Sequence, residues 1–519
     1  MRLLPLAAVL AATLSTSPVL ISNVYAAEAA VSAVAKAPQD HVVTSEHSIR
    51  LHGDKLSYTA TTGTMIIRND KNEADASVFY VAYTKPAKKG EHRPVTFLFN
   101  GGPGSSTLWL HMGSFGPKRI KTENAAPTGP APYELVDNQF TLLDKTDLVF
   151  IDAFGTGYSR GIATKENADS KDDPAKHFWG VDGDVDGFAR FITRYVTVNQ
   201  RWNSPKFVIG ESYGTIRAPA LVNKLQGQGM DFNGIVLVSS ILNYSERAPG
   251  LDRQYVGILP TFAAVAWYQN KLPNKPAKLE PFLDEVRAFA ENDYAIALAQ
   301  GHNLPADKLQ QIAEKLHQYT GLDTQYLKNA NLRIDQGQFR KELLRDEHRT
   351  LGRYDGRYLG IDDDAIGATP DTDPSSTAPS GAYIAGLHNY LETELKYTTD
   401  EHYKVSSFDA YKNWDWTHAQ GGNWGYQYKT RAPYVVRDLG DAIRTNPGLH
   451  VLSTNGYFDM ATPFHSTEYD LAHMNLDPSL RKNVEMTYYP SGHMIYLNEK
   501  ALVDFHKDVA AFYDKAQTK

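Results

Sequence analysis

Three apolar residues, Phe207-Val208-Ile209, run straight into Gly210-Glu211-Ser212-Tyr213-Gly214. The run is short and does not alternate, as in a strand buried on both faces of a parallel sheet. From Thr215 onward the apolar spacing turns helical. A strand that passes directly into a helix needs a sharp elbow, and a serine there has a strained backbone and an exposed hydroxyl. Glycines flank such a serine because side chains would clash with the crossing backbone. Taken alone, Gly-x-Ser-x-Gly reads equally as an ordinary glycine turn, and the strand before and helix after favour the elbow.

A serine hydroxyl attacks only when a base takes its proton and a carboxylate orients that base. On an open α/β sheet these groups follow in the order Ser, Asp, His, just past the carboxyl ends of strands. Downstream, Leu452-Ser453-Thr454 leads through Asn455-Gly456-Tyr457-Phe458 to Asp459. Val484 to Tyr489 reads as the next strand and leads through Pro490-Ser491-Gly492 to His493. By this criterion any other of the 17 histidines is a poorer base. Standing alone, His493 would read as a satisfied loop histidine. Asn100-Gly101-Gly102-Pro103-Gly104-Ser105-Ser106 also follows an apolar run, Val95 to Phe99. Its glycines can aim bare N–H groups at a developing oxyanion, with the Tyr213 N–H as the second donor. The alternative is a phosphate-binding loop, but the lysine of such a loop is missing and Pro103 interrupts a dinucleotide fingerprint.

Outward from these motifs the chain reads as an α/β protein. Further buried-strand runs stand at Leu148 to Ile151, Ile235 to Val238 and His450 to Leu452, with amphipathic helices over Asp184 to Val198 and Ala218 to Gln226. Before them, Lys55 to Thr59, Thr64 to Arg68 and Ala76 to Tyr83 alternate and predict an antiparallel meander. Residues 27–45 read as an extended or mobile leader tail. The core's first part is taken as 27–245 and its second as 431–519, with an insertion at 246–430. Lys278 to Ala299 and Pro305 to Tyr319 predict helices in that insertion, while Ala368 to Ala382, rich in Pro, Ser, Thr, Asp and Gly, predicts a long exposed loop.

Composition narrows the function. The 519 residues are 42% hydrophobic and 22% charged, which fits a soluble globular chain and excludes collagen-like, disordered and polytopic membrane classes. A formal charge of −7 argues against nucleic acid or an anionic membrane as the main partner. With no cysteine, disulfides, thiolate catalysis and Cys-ligated zinc are excluded. Residues 1–26 predict a secretory signal peptide: Arg2, an apolar run from Leu3 to Leu14, and small residues before a cut after Ala26. The alternative is an uncleaved anchor helix, which Pro18 and the polar residues at 13 and 15–17 disfavour. The expected destination is the periplasm or the medium, with no stable membrane association after cleavage.

Asn100 to Ser106, Asp147 to Ser159, Gly210 to Gly214, Gly456 to Asp459 and Gly492 to Met494 occur in the order found in serine carboxypeptidases, which this chain resembles over most of its length. The resemblance implies an α/β-hydrolase fold with a largely helical insertion. It also implies Ser212 as nucleophile, His493 as base, Asp459 as its orienter, and the N–H groups of Gly102 and Tyr213 as oxyanion hole. Peptides are the implied substrates, cleaved at the C-terminus without cofactor or metal. Family members hold the substrate's terminal carboxylate with residues matched here by Asn100, Gly101 and Glu211. Ser114 and Leu98 stand where a second Glu and a Trp belong, so the clamp is partial.

A Glu beside the nucleophile binds a carboxylate only when protonated, and without a second Glu to share the proton a weaker preference for acid is expected. Arg217 is expected to make a structural ion pair and to point away from the cleft. Tyr411, Trp414, Trp416, Trp424 and Tyr426 are expected to form the insertion's own core. Asp362-Asp363-Asp364 with Asp371 and Asp373 reads as a solvated acidic loop, since the spacing lacks the Gly and closing Glu of a calcium loop. The rival functions are an esterase or acyltransferase using the same triad, and a non-catalytic binding protein on the same fold.

Overall fold

The computed structural model describes residues 38–86, 92–421 and 427–517. The signal-peptide reading of residues 1–26 and the aromatic residues Trp424 and Tyr426 lie outside the described residues. Nine strands run in line through one sheet: β1 (His41–Leu51), β2 (Asp54–Arg68), β3 (Ala74–Thr84), β4 (Val95–Phe99), β5 (Asp147–Ile151), β6 (Lys206–Glu211), β7 (Gly234–Val238), β8 (His450–Gly456) and β9 (Val484–Tyr489). Their spatial order is β1-β2-β3-β5-β4-β6-β7-β8-β9, with Arg160–Gly161 paired onto β3. The first three strands form the expected antiparallel meander. From β5 to β9 all neighbours are parallel. β4, β5 and β7 are buried along their whole length, which is why they read as apolar runs without alternation.

Helices cover both faces. α1 (Val181–Val198) and α2 (Gly214–Gly227) pack on one side, and a terminal helix, Glu499–Ala516, packs on the other. Between β7 and β8 the chain forms a largely helical region, including α3 (Arg253–Tyr268), α4 (Leu279–Phe289), α5 (Ala306–Thr320) and α6 (Pro374–Thr393). α3 to α5 share a core of their own with Phe339, Tyr457 and Phe464, whereas Tyr383, Leu387 and Tyr390 of α6 pack into the main core.

Four expectations change. Residues 41–45 belong to β1, tied to Ala60 through Thr64 of β2, so the leader tail ends sooner than its composition implies. The two segments at 55–59 and 64–68 are one strand of 15 residues, because the meander's partners hold the polar stretch between them in register. Ala368 to Ala382 is largely helical. α6 begins at Pro374 with the Asp373 side chain capping the Ser375 N–H, a position that tolerates Pro and favours Asp. The acidic segment is only partly solvated: Asp362 is buried and paired with Lys341 Nζ at 2.7 Å, while no cluster of potential metal ligands occurs among the described residues.

Candidate active site

All four sequence motifs meet at the carboxyl ends of the parallel strands. Ser212 follows β6 with φ 60°, a left-handed backbone that a serine adopts only under constraint. Its N–H is held by Val238 O at 3.0 Å, and α2 starts two residues later. The elbow requires its glycine: a Cβ on Gly210 would stand 2.2 Å from Gly214 O. The turn after β4 presses on the same elbow, since a Cβ on Gly101 would lie 2.4 Å from Tyr213 N. Among the described residues, neither the Gly102 N–H nor the Tyr213 N–H has a hydrogen-bond acceptor. Tyr213 is fully buried, so an N–H left without an acceptor there is costly.

Asp459, past β8, and His493, past β9, are both buried and joined by a bond of 2.7 Å from Nδ1 to Oδ2. The Asp459 carboxylate also accepts the N–H groups of Ala461 and Thr462 at 2.8 and 3.0 Å and the Thr462 hydroxyl. His493 is pinned at the backbone as well, its N–H on Tyr354 O at 2.6 Å and its carbonyl accepting the Ser239 hydroxyl at 2.5 Å. Burial by itself would pull the imidazole pKa down; the Asp459 carboxylate and Glu211 outweigh it and hold it above the ordinary value. Ser212 and His493 line one cleft of about 580 Å³ together with Asn100, Gly101, Gly102 and Glu211. No hydrogen bond joins the hydroxyl to the imidazole in this arrangement. Such contacts commonly close only when substrate is bound.

Glu211 is buried beside the nucleophile, and burial pushes its carboxyl up to about 7 against the pull of His493, Tyr496 and Asn100. The Asn100 amide oxygen takes the Leu110 N–H at 2.9 Å, leaving its NH2 group to face Glu211. Leu98 and Ser114 take no part: Leu98 is core, and the Ser114 hydroxyl donates to Leu110 O at 2.6 Å. Instead the Tyr496 hydroxyl donates to Glu211 Oε2 at 2.9 Å. Tyr496 carries no recognisable sequence signal beyond lying three residues after His493.

The surrounding wall was only partly legible. Arg217 points away from the cleft as expected, with Nε on Asp184 Oδ2 at 2.6 Å and a second bond to Asn100 O at 2.8 Å. The Asp147 to Ser159 segment buttresses the glycine turn from behind: Asp152 Oδ1 accepts the Thr107 N–H at 2.7 Å. The aromatic cluster is not the insertion's own core. Trp414 and Trp416 set their rings edge-on to Tyr213 and belong to the main core, while Tyr411 and Trp416 line the cleft. Arg247, Arg353 and Tyr354 also line it and were not anticipated.

The serine carboxypeptidase family model matches residues 55–500. The chain belongs to the serine carboxypeptidase family. Serine carboxypeptidase-like 9 of Arabidopsis thaliana is 24% identical over 172 residues, which is 33% of this chain and 35% of that protein. The match thus spans about a third of that relative's length. Among solved structures, Kex1(delta)p, a prohormone-processing carboxypeptidase from Saccharomyces cerevisiae, superposes with a TM-score of 0.53 at 15% identity, covering 88% of this chain and 91% of that one. At that identity the likeness speaks for the fold, which is the α/β-hydrolase fold that the family resemblance implied. A proline iminopeptidase from Mycobacterium smegmatis aligns with a TM-score of 0.35 at 14% identity, over 87% of this chain and 98% of that one.

Proposed function

We propose that this protein is an exported serine carboxypeptidase that removes C-terminal residues from peptides through an acyl-enzyme. The observation that carries the reading is the cleft itself, where a strained Ser212 and an Asp459-bound His493 share space with a Glu211 carboxyl held protonated up to about pH 7. Ser212 Oγ attacks the scissile carbonyl carbon as its proton passes to His493 Nε2. Asp459 keeps the imidazole oriented through Nδ1 and stabilises its charged form. The oxyanion receives the Gly102 and Tyr213 N–H groups, each donor worth roughly 3–4 kcal/mol of barrier. Collapse expels the amine, which takes the proton back from His493, and water then repeats the sequence to release the acyl product. Protonated Glu211, with Asn100 and Gly101, holds the terminal carboxylate of the leaving residue. Export rests on the basic start and apolar run of residues 1–26. N-terminal sequencing of exported protein is expected to begin at Ala27.

An esterase or acyltransferase is the second reading, favoured by one observation: Leu98 and Ser114 leave the clamp with a single carboxyl group. Paired assays separate the two. N-blocked dipeptides with a free C-terminus, set against the same dipeptides amidated, are expected to be cleaved by wild type only in the free-acid form. Ser212→Ala is expected to lose on the order of 10⁵–10⁶ in kcat. Equal cleavage of both forms, or cleavage of esters alone, sinks the exopeptidase reading. Binding without turnover by either protein supports a non-catalytic role.

A further inference from the structure

Two guanidinium groups in the cleft have no acidic partner within ion-pair distance among the described residues. Arg247 closes the short turn Tyr244–Arg247 after β7 and is exposed to the cleft. Its Nη2 donates to Ala461 O at 2.8 Å, and its Cζ lies 5.2 Å from the Tyr244 ring. Arg353 is half-buried, with Nε on Gln336 Oε1 at 3.0 Å and Cζ 5.2 Å from the Tyr354 ring. All of these contacts are to neutral groups, and among the described residues neither arginine forms an ion pair. Their counterparts elsewhere do: Arg217 holds Asp184, Arg287 holds Glu468, Arg333 holds Asp252 and Arg357 holds Asp355. The acids nearest Arg247 are already engaged, Asp459 by His493 and Glu246 facing Arg253 at 4.0 Å.

The pair is also separate from Glu211. Tyr354 packs against His493 at 4.9 Å between ring centroids, and Arg353 lies over Tyr354, so imidazole, phenol and guanidinium succeed one another along the wall. Glu211 instead sits among Tyr496, Asn100 and His493. Both guanidinium groups line one cleft and Arg353 repels the charge on Arg247, a like-charge pairing that an anion between them would relieve. A planar guanidinium fork is matched to a carboxylate.

We propose that Arg247 and Arg353 form an anion subsite that selects peptides carrying an aspartate or glutamate side chain beside the scissile bond. This rests on the carboxypeptidase reading above for its substrate, and the test keeps the two apart. N-blocked dipeptides bearing Glu, Gln or Lys before the scissile bond, and a second series varying the released residue, are assayed on wild type, Arg247→Gln, Arg353→Gln and Arg353→Lys. A Glu-over-Gln preference in kcat/KM of about tenfold or more is expected at one of the two positions at low salt. It is expected to shrink as salt rises, to approach unity in both Gln variants, and to survive in part in Arg353→Lys. Complete labelling of Ser212 by a fluorophosphonate, together with a wild-type circular dichroism spectrum, shows that each variant is folded.

Equal rates for Glu and Gln at both positions in labelled, active enzyme overturn the subsite. So does a preference that both Gln variants retain. A uniform loss on every free-acid peptide, with the Glu-to-Gln ratio unchanged, also overturns it and assigns the arginines to the terminal carboxylate. Binding of the same peptides to Ser212→Ala gives a readout that needs no turnover. Tighter binding of Glu than Gln peptides there, when wild type cleaves neither, keeps the subsite and overturns the peptidase reading.

Discussion

The two sides of the cleft are built by opposite rules. On the strand-end side, backbone does the work: the elbow at Ser212, the glycine turn pressed against Tyr213, and loops pinned to each other by main-chain bonds. Each residue type there is forced, because a Cβ at Gly101 or Gly210 would collide with main-chain atoms. The rest of the cleft is lined by side chains: Arg247 from the short turn after β7, Arg353 and Tyr354 from a bend, Tyr411 from a short helix at Phe408–Lys412, and Trp416 from the chain just after it. The comparison teaches that the elbow and the glycine turn are held by close backbone approach, while the proposed anion subsite depends on side chains alone. The same contrast separates two arginines. Arg217, under the elbow, is fully buried and neutralised by Asp184, with its guanidinium 4.2 Å from the Phe188 ring. Arg353 is half-buried, holds the neutral Gln336 side chain, and forms no ion pair among the described residues.

That difference can be broken most strongly by Arg217→Met. It leaves Asp184 as an uncompensated buried carboxylate and frees Asn100 O, so stability is expected to fall by about 3–5 kcal/mol in chemical denaturation. Arg353→Gln is expected to stay within about 0.5 kcal/mol of wild type, as changes at partly exposed sites do. A similar loss in both variants would erase the distinction between scaffold and wall.

Next in size is Gly101→Ala. Its methyl group would stand 2.4 Å from Tyr213 N, so the glycine turn must retreat from the elbow. Overpacking of this kind costs about 1–3 kcal/mol of stability. The displaced oxyanion donor is expected to lower kcat by on the order of 10²-fold. Unchanged kcat with lowered stability would show that the turn's closeness serves folding alone.

The smallest effect sharpens the comparison by pH. A raised Glu211 pKa means that the protonated, carboxylate-binding form persists up to about 7 and is lost above it. A raised His493 pKa means that the neutral base is lost as pH falls through that value. Free-acid peptides are therefore expected to give a bell-shaped kcat/KM profile with a narrow maximum near neutrality. A profile already falling away above pH 5 would contradict this. Glu211→Gln, permanently neutral, is expected to lose the alkaline limb. Tyr496→Phe removes a hydroxyl that stabilises the ionised carboxylate, so the alkaline limb is expected to move up by about one pH unit.

Much of this site was legible because backbone constraint writes itself into residue type. Gly210, Gly214, Gly101 and the apolar runs before them announce strand, elbow and turn, and the strand order past β8 and β9 then points to Asp459 and His493. Other features carried misleading local signals. α6 opens with Pro374 and carries Ser, Thr and a second proline, Pro379, in its first turns, so composition spoke for a loop. Its helical state is decided by the Asp373 cap and by Tyr383, Leu387 and Tyr390 packing into the main core. Trp414 and Trp416 share a stretch of chain with the insertion but not its core, since their partner is Tyr213, some 200 residues away.

Sequence alone determined the parallel sheet, the elbow serine and the residues that follow β8 and β9, because steric exclusion leaves few residue types at those positions. Tertiary structure alone decided that Tyr496 rather than a second carboxyl group meets Glu211, and that two arginines lack acidic partners among the described residues. Hydrogen bonds and ion pairs between distant segments depend on which side chains the fold brings within a few ångströms, and no local pattern encodes that distance.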